Sequence, residues 1–109
     1  MDYYFSKTVT VSFDEAVGII TEALKKEGFG IITQINMQEK LKEKLGVDFK
    51  KYIILGACNP PFAYKALQAE DKIGTMLPCN VLVIEQGINQ IEIAAVNPIA
   101  SMMSISNPE

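Results

Sequence analysis

The chain of 109 residues contains no histidine and no tryptophan, and all ten of its basic residues are lysines. Each absence closes a class of function. Without histidine there is no imidazole base, so Ser-His and Cys-His nucleophile pairs and histidine metal sites are excluded within one chain. Without arginine the chain lacks the usual reader of guanine edges and the usual bidentate phosphate clamp. Together with a formal net charge of −3, this argues against nucleic acid as a partner. No apolar run approaches the roughly 20 residues of a membrane helix, and no basic stretch followed by an apolar core opens the chain, so neither a membrane span nor a signal peptide is expected. The expected location is the cytoplasm.

What is present fits one small globular domain, expected to span residues 1–109. The hydrophobic fraction is 49% and the charged fraction 21%. A chain of this length buries roughly two-thirds of its unfolded surface and needs no metal or disulfide staple. Lys40, Lys42, Lys44, Lys50 and Lys51 form a local basic run. It is interleaved with Glu39, Glu43 and Asp48, which reads as a solvated face rather than a phosphate site. The second half of the chain is poorer in charge than the first, as a core or a subunit interface would be.

Alternation over Tyr3 to Val11 predicts a half-buried strand, with Tyr3, Phe5, Val9 and Val11 inward. Ser12-Phe13-Asp14-Glu15 reads as a capping box. The helix it opens carries Phe13, Ala16, Val17, Ile20 and Leu24 at helical spacing, and Gly28 supplies the left-handed stop. A strand follows over Phe29 to Ile35. Asn36 caps a short helix with Met37, Leu41 and Leu45 as its apolar stripe, and Gly46 ends it. Tyr52 to Cys58 is apolar on both faces, as in a central strand. Asn59 caps a third helix with Pro60 at its first position and Phe62, Ala63, Ala66 and Leu67 as its apolar face. Val81 to Ile84 and Ile91 to Val96 form a hairpin about a loop from Gln86 to Gln90. Asn97-Pro98 starts a short C-terminal helix through Met103. The predicted class is α+β: a single sheet of about five strands with helices packed on it, in the order β-α-β-α-β-α-β-β-α.

The unusual chemistry is concentrated in two places. Each cysteine precedes an asparagine and lies beside proline: Cys58-Asn59-Pro60-Pro61 and Pro78-Cys79-Asn80. Cys58 falls at a strand end before a helix N-terminus, where dipole and free N–H groups favour a thiolate. Cys79 begins the next strand, so the thiols meet at one end of the sheet if those strands are neighbours. The blander reading makes both cysteines small core residues. A disulfide is not expected in a reducing compartment, and two thiols alone make a poor zinc site without carboxylates or two more cysteines from a second chain, so no metal is assigned and the sequence names no cofactor. Asn59 is a helix cap or, with Asn80, a pair of groups orienting a small ligand. Tyr64 faces a cleft or packs at its rim. Gly56 and Gly74 mark close approach or turning, Glu70-Asp71 is a solvated pair, and Met102 and Met103 are filler or contact surface.

Leu55-Gly56-Ala57-Cys58-Asn59-Pro60-Pro61-Phe62-Ala63-Tyr64-Lys65-Ala66-Leu67, continued by Ile73-Gly74 and Leu77-Pro78-Cys79-Asn80, resembles the family known as domain of unknown function 302. The resemblance implies a small α+β fold and a homodimer, and implies no reaction. The chain departs from the family at Tyr64 and Asn97, where a histidine and an acid are common. Three functional expectations follow. The first is a homodimeric small-ligand-binding or accessory protein with a pocket lined by Cys58, Asn59, Tyr64, Cys79 and Asn80. The second is a thiol-dependent enzyme or redox protein using Cys58 as its catalytic group. The third is a structural or interaction module with both cysteines in its core.

Overall fold

The computed structural model describes residues 3–97. Its elements are β1 (Tyr4–Val9), α1 (Phe13–Lys26), β2 (Gly30–Asn36), α2 (Met37–Leu45), β3 (Tyr52–Cys58), α3 (Pro60–Ala69), a 3-10 helix (Asp71–Met76), β4 (Cys79–Gly87) and β5 (Gln90–Val96). The strands form one antiparallel sheet in the order β1-β5-β4-β3-β2. The expected C-terminal helix, Met102 and Met103 lie outside the described residues.

The helix boundaries follow from capping. Ser12 Oγ accepts from the N–H of Glu15, and Glu15 reaches back to the N–H of Ser12, which completes the capping box of α1. At the other end Phe29 N–H donates to the Leu24 carbonyl and Gly28 N–H to that of Lys25, at 2.9 and 3.0 Å. This is the Schellman arrangement, and it needs the positive φ of 86° that Gly28 adopts. Asn36 Oδ1 caps α2 through Glu39 N–H, and Gly46 ends it in the left-handed region.

One sheet face carries the core. Leu55 stands opposite Val81, and Ile53 opposite Val83. With Ala57 and Ile91 they pack against Phe13 and Ala16 of α1, and Val17, Ile20 and Leu24 extend the same contact. All five residues of the stripe expected on α1 therefore reach this core. The other face presents Gly56 and Asn80, which stand opposite each other one step along the ladder.

Four expectations are corrected. Tyr3 and Phe5 are not inward; Phe5 is 60% exposed. β1 is an edge strand, and within it only Val9 joins the core, with Val11 just beyond the strand. The face expected on α3 is not buried: no residue of that helix is, and Phe62 and Leu67 are 67% and 44% exposed. β4 runs to Gly87 and β5 starts at Gln90, so the loop shrinks to Ile88 and Asn89. The strands lengthen because a register irregularity between Glu85 and Gly87 and the positive φ of Asn89, 53°, absorb the turn. Glu70 does not simply face solvent. It ends α3 and caps the 3-10 helix, accepting from Lys72 N–H at 3.1 Å, while Asp71 pairs with Lys72 on the surface.

Candidate functional site

β3 ends and β4 begins at the same edge of the sheet, and the two Cys-Asn pairs meet there. Ala57 stands opposite Cys79 and Gly56 opposite Asn80. Partners across an antiparallel ladder share a face, and successive residues alternate. Cys58 therefore lies on the face of Gly56 and Asn80, and Cys79 on the face of Ala57. The strands are neighbours, as the meeting of the thiols required, yet the two thiols leave the sheet on opposite sides. Both are free and half-buried. The sheet is antiparallel throughout, so the preference of open parallel sheets for ligands at their C-terminal end does not locate a site here.

The start of α3 is closed to anions by its own sequence. Pro60 and Pro61 carry no N–H. The next N–H, of Phe62, donates to Asn59 Oδ1 at 3.1 Å. The first turn thus keeps no free donor of the kind that holds a thiolate at a helix N-terminus. Asn59 is spent as a cap, and its Nδ2 rests against Gly28, where a Cβ would approach it to 3.2 Å. The cap of α3 thus lies beside the stop of α1, with space only for a glycine at position 28. Gly56 has an equally local reason. A Cβ there would run into Thr33 Oγ1 and lie 2.7 Å from Pro78 Cγ. Pro78 follows a cis peptide bond from Leu77. Gly74, by contrast, has no atom near enough to require a glycine.

Beside this end of the sheet lies a cleft of about 370 Å³. Phe62 and Ala66 of α3 form one wall, and Ile73, Thr75 and Met76 of the 3-10 helix another. Leu77, Pro78, Cys79 and Asn80 run along it, and Val96 of β5 completes it. It takes in Cys79 and Asn80 and leaves out Cys58, Asn59 and Tyr64; Tyr64 is 66% exposed on α3. No charged side chain is among the described residues that line it. Thr75 Oγ1 donates to the Lys72 carbonyl at 2.9 Å. Asn80 is exposed, and its carboxamide makes no hydrogen bond to a described residue. Two larger hollows, about 620 Å³ beside α2 and about 880 Å³ along α1, are open, strongly charged surface. Sequence reasoning missed the hydrophobic walls because the 3-10 helix has no periodic signature. The signals were Gly74 and Pro78, which bracket it.

With this geometry in view the comparisons with known proteins are specific. The model of the family described as Domain of unknown function DUF302 matches residues 5–109. The chain belongs to the DUF302 family. It is also similar to the crystal structure of an uncharacterized conserved DUF302 protein from Bacillus stearothermophilus, with 30% sequence identity and a TM-score of 0.90. That likeness covers 99% of this chain and 84% of the other. No curated protein matches. Of the two positions at which the resemblance led to the expectation of other residues, Tyr64 sits on the exposed side of α3, away from the cleft. Asn97 is buried just after β5, where its N–H donates to the Tyr3 carbonyl at 2.7 Å. Among the described residues no group of three or more acids and cysteines could hold a metal ion, and no helix is long and apolar enough to cross a membrane.

Proposed function

We propose that the protein is a homodimeric small-ligand-binding or accessory protein, and that its ligand site is the cleft under α3. The observation that carries this reading is the cleft's composition: largely apolar walls with one exposed carboxamide, Asn80, near the start of β4. Concave, mostly apolar sites with a few placed polar groups are the usual form of a small-molecule site. Cys79 lines the site and Asn59 holds the wall. Cys58 and Tyr64 stand outside it. The dimer is supported by the side of α3 turned away from the cleft, where Tyr64 and Leu67 are exposed. The thiol-enzyme reading has less support, because the first turn of α3 offers Cys58 no free donor.

The test is a melting-temperature screen of a metabolite panel against the wild type and Ala66→Trp, which fills the cleft. A binder should raise the melting temperature of the first and leave the second unmoved. If nothing in the panel moves the wild type, or if binders move both proteins alike, the cleft is not the site.

A further inference from the structure

The cleft's wall chemistry narrows the ligand class, an inference that rests on the proposal that the cleft is a ligand site. We infer that the ligand is an electrically neutral molecule with an apolar body and one polar end that both donates and accepts hydrogen bonds, such as a carboxamide or an alcohol.

Three observations carry this. First, none of the described lining residues bears a charge. An ion entering the cleft would exchange part of its water for the apolar surface of Ile73, Met76 and Val96 and meet no counter-charge there, which is unfavourable. The nearest ion pair along the chain, Asp71 with Lys72, is satisfied within itself and faces solvent. Second, the polar group on offer is an amide. Asn80, an exposed residue of the lining, presents two donors and an acceptor, and its carboxamide makes no hydrogen bond to a described residue. A carboxylate would use only its donors and an ammonium only its acceptor, whereas an amide or hydroxyl uses both. The hydrogen of Thr75 Oγ1 is already committed to a backbone carbonyl, so Thr75 can only accept. Third, the volume is about 370 Å³, near the lower end of the range of about 300–1,000 Å³ for ligand sites. That admits a compact molecule and leaves no room for a dinucleotide-sized cofactor.

The measurement is a titration of the full-length protein with four compounds of one shape: 4-phenylbutanamide, 4-phenylbutanol, 4-phenylbutyrate and 4-phenylbutylammonium. Binding is followed at pH 7 through backbone amide chemical shifts. The neutral pair should bind about tenfold or more tightly than either ion, as an unpaired charge in an apolar site requires. They should shift the amides of Ala66, Ile73 and Asn80. Asn80→Ala should weaken the amide severalfold while the fold, read from the same spectra, is unchanged. If an ion binds as well as the neutral pair at these amides, the neutral class is wrong and the cleft remains a site. If none of the four moves a cleft amide, the cleft reading falls and the ligand class with it.

Discussion

Asn59 and Asn80 follow the same kind of residue in the sequence and have opposite fates in the fold. Asn59 Oδ1 accepts from Phe62 N–H, and its side chain lies beside Gly28. Asn80 gives nothing to any described residue. Asn59→Ala should therefore cost about 1 kcal/mol, the usual cost of losing a helix cap, while Asn80→Ala should stay within about 0.5 kcal/mol. Denaturant unfolding of the two variants checks this; equal losses would mean that Asn80 is structural as well. Gly56 makes a sharper case. Alanine there must displace Thr33 or Pro78, so Gly56→Ala should destabilise by about 1–3 kcal/mol, read as a lower denaturation midpoint. At Gly74, where there is space around the Cα, the same change should cost less than at Gly56.

At the scale of elements, the parts governed by local rules were legible in the sequence. The capping box of α1, the Gly28 and Gly46 stops, the Asn36 and Asn59 caps and the span of β3 are all as the residues predicted. Those signals are local because a cap or a stop satisfies hydrogen bonds within a few residues. The burial of β1 and α3 was not legible. An apolar stripe says that a face wants cover, and only tertiary placement says whether cover arrives. For β1 it is an edge position, and for α3 a berth against the 3-10 helix more than the sheet. The candidate site was legible in part for the same reason. The motifs led to the end of the sheet beside which the cleft lies, but faces and walls depend on strand register. Register also makes a prediction. Because Cys58 and Cys79 leave opposite faces, their Cβ vectors diverge and no bond can close between them without breaking the ladder. Mild oxidation of the folded protein should give no intramolecular disulfide by peptide mapping. A Cys58–Cys79 peptide from a protein with unchanged amide spectra would show that the register is wrong.

For the whole molecule, one sheet and one core joined to α1 imply one cooperative unit. If α3 forms the dimer surface, stability becomes a property of the pair. The melting temperature should rise with protein concentration across the micromolar range, and Leu67→Asp should abolish that dependence and give a monomer by light scattering while secondary structure persists. A wild type that melts at one temperature at every concentration would remove the dimer from the proposal.

The strand order has a consequence for how the molecule is made. β2, β3, β4 and β5 pair successively along the chain, so each can join its predecessor as soon as it exists. β1 cannot. Its partner is β5, with Tyr4 matched to Val96, almost the whole length of the chain later. β1 must therefore wait for β5, whereas α1 can already settle on β3 and β4. Among the five strands, β1 is the last that can enter the sheet, because its pairing spans the greatest sequence separation.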